Sequence, residues 1–256
     1  MSIFENDAKN STTTSTFGVS KRESHNSDAF YKRFPPLQQD KITEPSTPVT
    51  IDQLYIGDSS NMGEINANST ALIVTSPPYF VGKEYEVDIE KEGIPANYIE
   101  YLQMLRSVFT ECWRILEPGG RIAINIANLG RKPYRSLSAD ITRILQEDIG
   151  FLLRGEIIWV KAEGASGSCA WGSFQSASNP VQRDETERII VASKLRFDRS
   201  LTKKQRASRG LPYIDSIQKE DFLSWTIETW RFRPESAKKK GHPAPFPLEL
   251  PKRLIQ

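Results

Sequence analysis

The feature that most constrains this chain is ALIVT at 71–75, a short unbroken apolar run stopped at once by Ser76, Pro77 and Pro78. An apolar run of this length without polar alternation reads as a strand buried on both faces. Two consecutive prolines, which fix φ and lack N–H donors, end it. Downstream, Ile99, Leu102, Leu105, Val108, Phe109, Cys112, Trp113 and Leu116 recur at three- and four-residue spacing. That spacing predicts an amphipathic helix over 97–117, ended by Pro118-Gly119-Gly120. RIAINIAN then predicts a strand, and a second helix begins near Ser138, turns Ile141, Ile144 and Leu145 inward and stops at Gly150. EIIWVK at 156–161 and RIIVAS at 188–193 predict two more strands. The alternation of strand and helix predicts an α/β domain with a mostly parallel sheet and helices on both faces.

With 256 residues the chain suits one large domain, or a catalytic domain with a small insertion. Lys plus Arg is 34 against 32 for Asp plus Glu, a net charge of +2. That balance excludes a strongly basic packaging protein and an acidic disordered tail, so any nucleic-acid contact must come from a local cluster. KLRFDRSLTKKQRASRG at 194–210 is such a cluster, with Asp198 as its single acid. It reads either as a solvated face or as a phosphate-contacting segment, with Lys203, Lys204, Arg206 and Arg209 as the candidate contacts. A second basic run is Lys238-Lys239-Lys240. Residues 1–50 are rich in Ser, Thr, Asn and Pro and read as a flexible extension. Within it, 17–34 interleaves aromatic and basic residues, which suits a surface loop, a DNA contact or docking on the core. No apolar run reaches the length of a membrane span and no secretion signal opens the chain. Two cysteines, Cys112 and Cys169, make no disulfide framework and no Cys-rich zinc site, so a reducing, cytoplasmic setting is expected.

The chemistry concentrates in Ser76-Pro77-Pro78-Tyr79. In an open α/β sheet, ligands bind at the carboxyl ends of the strands, where this loop lies. The prolines leave carbonyl oxygens as free acceptors, Ser76 adds a hydroxyl, and Tyr79 adds a flat ring with a polar tip. Together they suit a planar group carrying an NH2: the ring stacks on Tyr79 while the amine donates to Ser76 and the Pro77 carbonyl.

Thr-Ser-Pro-Pro-Tyr after an apolar strand resembles the catalytic loop of the amino-directed DNA methyltransferases, and its Ser form resembles their cytosine-N4 branch. Further blocks lie in the order of that family: GDS at 57–59, EPGGRIAINIAN at 117–128, GEIIWVK, ERIIVASK, and HPAPFPLELPKRLI at 242–255. FGVSKRESHNSDAFY in the N-terminal extension is also similar to a segment of some members. The resemblance implies a Rossmann-like fold dependent on S-adenosylmethionine, circularly permuted. It divides the chain into 51–193 as catalytic core, 194–240 as target-recognition region and 241–256 as the start of the cofactor-binding region. His242, Pro245, Phe246 and Pro247 would then help bind the methionine end of the cofactor. Asp58 either contacts its adenosine part or forms an ordinary Asx turn. Phe-x-Gly-x-Gly, which follows the HPAPFP block in this branch, does not occur in the chain. The expectation is therefore a fold incomplete at its C-terminus, from a truncated coding region or one half of a split enzyme, with weak or no cofactor binding on its own.

The reaction so implied is direct methyl transfer to N4 of a cytosine flipped out of duplex DNA, in a restriction-modification system. Partners would be the DNA and possible accessory chains: a cognate endonuclease or a chain supplying the missing block. Alternatives are an adenine-N6 enzyme with an atypical Ser, and a DNA-binding subunit inactive alone. No cysteine nucleophile is needed: Cys112 lies on an apolar helix face, and Cys169 lacks the Pro-Cys context of cytosine-C5 chemistry. Trp171, Asn179 and Arg183 are candidates for a DNA-facing cleft, while Trp225 and Trp230 read as packing residues.

Overall fold

The computed structural model of the chain describes residues 44–46, 52–80, 97–129, 133–161, 172–182, 184–235, 245 and 247–256, all within the unit Asp40–Gln256. The expectations for 17–34, Cys169, Trp171, Arg183, Lys238-Lys239-Lys240, His242 and Phe246 lie outside the described residues. The frame is a five-stranded sheet of β1 (Thr70–Thr75), β2 (Leu116–Ile126), β3 (Leu152–Val160), β4 (Thr186–Ser193) and β5 (Thr229–Arg231), in the order β1-β2-β4-β3-β5. β1 pairs with β2, and β3 with β5, in parallel, whereas β4 runs antiparallel to both of its neighbours. Four strands therefore share one direction, as the alternating pattern predicts. The reversal of β4 was not legible, because a strand buried on both faces reads alike in either direction.

β2 sorts its side chains by period two. Ile122, Ile124 and Ile126 enter one core cluster, and Ala123 enters the other. The first cluster is covered by α1 (Tyr98–Ile115), which buries Tyr101, Leu102, Leu105, Phe109, Cys112 and Ile115 and is capped by the Asn97 side chain accepting from the Glu100 N–H. Burial pushes the Cys112 thiol up to about 12, so it is an inert core residue. The predicted second helix is α2 (Leu137–Arg143), capped by Ser136. It continues as a π-helical turn over Ile144–Ile149. There the N–H groups of Gly150 and Phe151 both reach the Leu145 carbonyl, and Gly150 takes φ 94° to close the turn.

The other face carries Trp159, Ile189, Trp230 and Leu250. Leu250 belongs to α5 (Glu249–Ile255), so helices cover both faces. α3 (Lys203–Ser208) and α4 (Lys219–Trp225) lie between β4 and β5 in the chain. Trp225 and Trp230 are buried, as expected of packing residues, and the Arg253 guanidinium stands 5.7 Å and 5.3 Å from their ring centres.

One boundary differs from the sequence expectation. β2 starts at Leu116, so Pro118-Gly119-Gly120 is not a loop but part of the strand. Gly119, at φ 81°, donates its N–H to the Lys194 carbonyl, and the Lys194 N–H returns to Gly120. A Cβ at Gly119 would stand 2.0 Å from the Asp198 carbonyl oxygen, an approach that only glycine permits. The glycines thus serve backbone contact with the chain after β4 rather than stopping a helix.

The side chain of Lys194 is buried under the same end of the sheet. Its ammonium donates to Asn68 Oδ1 (2.7 Å) and to the Leu116 (2.8 Å) and Arg114 (3.3 Å) carbonyls left open where α1 ends. Burial, with Arg114 nearby, pushes this group down to about 8. A lysine whose folded pKa is depressed opposes folding while charged, and that opposition fades as pH rises from the folded value towards the unfolded value of about 10.4. Urea unfolding of the wild type and Lys194→Met between pH 7 and 10 should therefore show the wild type gaining on the variant above pH 8.

Candidate active site

Ser76-Pro77-Pro78-Tyr79 leaves the carboxyl end of β1, and Phe80 after it sits at φ 59°, a left-handed turn unusual for an aromatic residue. What holds that turn is an aromatic shelf on α1. The Phe80 ring stacks on Tyr101 at 5.0 Å and meets Tyr98 edge-on at 5.8 Å. The Tyr101 hydroxyl donates to the Pro78 carbonyl. Tyr98 donates to Asp140 (2.7 Å), with Arg135 paired to that carboxylate and lying over the Tyr98 ring. Burial and Asp140 push the Tyr98 phenol up to about 12, so it stays a donor. The Pro78 carbonyl is therefore spent on the scaffold. Among the described residues nothing bonds the Pro77 carbonyl, the acceptor that the sequence assigned to an incoming amine.

The Tyr79 hydroxyl is not a loose tip. It lies 3.0 Å from Ser76 Oγ, 3.2 Å from the Asn125 carbonyl and 3.1 Å from Glu187 Oε2. Asn125 Nδ2 donates to the Tyr79 oxygen (2.9 Å) and to Glu187 Oε2 (2.5 Å), and Lys161 Nζ pairs with Glu187 Oε1 at 2.8 Å. Asn125 is buried, and its Oδ1 has no hydrogen-bond partner among the described residues. Sequence reasoning missed Asn125, Glu187 and Lys161. A signal existed: Asn125 continues the Ala123 row of β2, Glu187 the Ile189 row of β4 and Lys161 the Trp159 row of β3. All three therefore extend one apolar face at the end where Ser76 lies. A polar residue in phase with a buried row needs partners, and here the partners are one another.

Of the candidates for a cofactor, Asp58 is exposed, and both its carboxylate oxygens are bonded by Ser60, to the backbone N–H and to the hydroxyl. That is an Asx turn, and these bonds hold the carboxyl below its ordinary range. Pro247 is buried, and its carbonyl accepts from the Leu250 N–H as the chain enters α5; Pro245 just before it is partly buried. α5 lays Leu250 and Leu254 against the face that carries Val74 of β1.

The basic segment divides. Lys204 is exposed, Lys203 is exposed beside Asp215, and Arg209 is exposed beside Glu44. Arg206, expected to contact phosphate, is instead 7% exposed. Its Nε donates to the Pro212 carbonyl at 2.6 Å and its Nη1 lies 3.6 Å from buried Glu117, which Arg199 also pairs. The reason is geometric: α3 is short and must turn one face inward, and Arg206 occupies it. Asn179 is exposed in a small loop closed by the Gly172–Pro180 bridge.

The comparisons agree with this architecture. A family model described as DNA methylase, of the N6/N4 type, matches residues 70–256. The type II methyltransferase M.MjaVI of Methanocaldococcus jannaschii is 35% identical over 171 residues, covering 66% of this chain and 80% of that protein. M.MjaI of the same organism is 29% identical over 240 residues, covering 81% and 76%. A candidate DNA modification methylase of Thermus thermophilus superposes with TM-score 0.54 at 28% identity, over 78% of this chain and 71% of that one. The PvuII cytosine-N4 methyltransferase shares the fold, with TM-score 0.51 at 18% identity over 78% and 68%.

The two kinds of basic residue should separate experimentally. Arg206→Ala, which leaves Glu117 only one partner, should cost about 2–3 kcal/mol of unfolding free energy in urea. Lys204→Ala should leave stability within about 0.5 kcal/mol of the wild type.

Proposed function

This chain belongs to the N6/N4 DNA methylase family, and from that premise we propose that it transfers the methyl group of S-adenosylmethionine to the exocyclic N4 of cytosine in duplex DNA. The observation that carries this reading is the pair of acceptors at the end of β1. Ser76 Oγ and the Pro77 carbonyl both suit an aromatic amine, and the hydroxyl in the first position is the form that resembles the cytosine-N4 branch. The type II names of the relatives support a place in a restriction-modification system.

The site's chemistry fits the cofactor. The ribose diol of S-adenosylmethionine can donate hydrogen bonds, and the exposed Asp58 carboxylate, bonded by Ser60, has lone pairs to accept them. Asp58 would take the adenosine part, and 242–247, leading into the helix packed beside β1, the methionine part. When bound, the cofactor supplies an electrophilic methyl on a sulfonium. The protein's own work is to prepare the nucleophile. The N4 lone pair is delocalised into the ring, and accepting both N–H protons at Ser76 and Pro77 favours a pyramidal nitrogen whose lone pair faces the methyl group. The Tyr79 ring, with its hydroxyl anchored below, offers a fixed plane on which the flipped base stacks, offsetting part of the few kcal/mol that flipping costs. Lys203, Lys204 and Arg209 would meet the DNA backbone.

The chain, incubated with duplex DNA and labelled cofactor, should yield N4-methylcytosine on nucleoside digestion and mass spectrometry. Ser76→Ala should lower the rate about 100-fold by removing an acceptor from the transition state. N6-methyladenine as the product would overturn the base assignment while leaving the family intact.

A further inference from the structure

Two consecutive prolines do more at this site than end a strand. Between the carbonyl of Pro77 and that of Pro78 lie a planar peptide bond and the φ and ψ of Pro78. The pyrrolidine ring locks φ, so ψ of Pro78 is the one soft torsion relating the two carbonyls. A group that holds the Pro78 carbonyl therefore restricts the direction of the Pro77 carbonyl as well. That group is Tyr101, whose hydroxyl donates to the Pro78 carbonyl. A carbonyl can only accept, so the single phenol proton lies in this bond whatever else the residue meets.

The donor is itself fixed in place. Tyr101 is fully buried in the first turn of α1, where its N–H donates to the Asn97 carbonyl at 3.0 Å. Its ring stacks on Phe80 at 5.0 Å and lies 5.9 Å from the Tyr98 ring. On the other side of the prolines, Thr75 pairs with Ile124 in the sheet. Pro77 and Pro78 are thus spanned between a paired strand and a buried donor.

We propose that Tyr101 is a positioning residue: its hydroxyl, acting through the Pro78 carbonyl and the locked φ of that proline, sets the direction in which the Pro77 carbonyl meets the target amine. The proposal rests on the reading of Pro77 as an acceptor for that amine and adds the group that aims it. Alignment is where such control counts, because a reacting pair misplaced by about 1 Å can lose roughly 100-fold in rate.

Tyr101→Phe removes the hydroxyl and keeps the ring on Phe80, whereas Pro78→Ala keeps the carbonyl and frees φ. Wild type, both single variants and the double variant should be compared for kcat and for KM on duplex DNA. Each single variant should lower kcat about tenfold with KM little changed. The double variant should be no slower than the slower single one, because hydroxyl and proline act on the same carbonyl. An unchanged kcat in either single variant, a change confined to KM, or effects that multiply in the double variant would each overturn the proposal. A second readout needs no turnover. With 13C,15N-labelled proline, a one-bond correlation of each carbonyl with the next nitrogen reports only Pro35–Pro36 and Pro77–Pro78, the two Pro-Pro steps of the chain. Pro78→Ala identifies the second signal by removing it. The Pro77 carbonyl resonance should move in Tyr101→Phe. Should the wild type transfer no methyl group, the functional reading fails while this shift still upholds the positioning, and an unmoved resonance refutes it.

Discussion

β2 is buried on both faces, and that constraint organises the carboxyl end of the sheet around it. A strand in that position tolerates no polar side chain without partners, because leaving a buried donor or acceptor unpaired costs roughly 1–3 kcal/mol. Asn125 is the polar side chain at the carboxyl end of this strand, and it meets Glu187 of β4 and Tyr79 of the loop after β1. Lys161, just past β3, closes the set. One network, centred on buried Asn125 with half-buried partners, therefore draws on four successive parts of the fold. On this side the loop after β1 takes its position from polar satisfaction around buried Asn125.

The opposite side of the same loop is fixed by aromatic packing. Tyr98, Tyr101 and Phe80 form a shelf on the first turns of α1, and Tyr101 ties down the carbonyl of Pro78. Phe80 pays for its left-handed backbone, of order 1–3 kcal/mol, with that stacking. Between shelf and network the segment Ser76–Phe80 has little freedom left. Preorganisation of this kind suits a reaction whose acceleration comes largely from alignment.

Much of this was legible in the residues, for identifiable reasons. α1 follows from apolar periodicity, and the strands Thr70–Thr75 and Thr186–Ser193 follow from unbroken apolar runs. β1, however, lies at the sheet edge and is only partly buried rather than buried on both faces. The loop was legible because Ser-Pro-Pro-Tyr has little use as mere structure at a strand end. Local spacing cannot report pairing across the sheet, and so the direction of β4, the close approach at Gly119 and the π turn before Gly150 were missed. The network around Asn125 was missed because Lys161 and Glu187 sit at strand ends, where a charge ordinarily marks the exit to solvent. Only their phase, shared with Trp159 and Ile189, distinguishes them. Arg206 was misread for the converse reason: inside a basic run, one cation turned inward looks like its neighbours.

That inward turn bears on how DNA can be held. Of the seven basic residues in 194–210, Lys194 supports carbonyls at the end of α1, Arg199 and Arg206 surround Glu117, and Arg196 pairs with Asp198. Lys203, Lys204 and Arg209 remain, and two of these touch acids in exposed pairs. Exposed pairs are worth about 0–1 kcal/mol, little enough for a phosphate to displace them. Three phosphate contacts correspond to a salt dependence of only about −2.7 in log affinity against log salt. A segment that spends four of its seven cations on the fold therefore supplies orientation more than affinity. On the proposed function, the rest of the binding energy would come from outside this segment, a flipped base stacked on Tyr79 and bonded at Ser76 and Pro77 being one contributor.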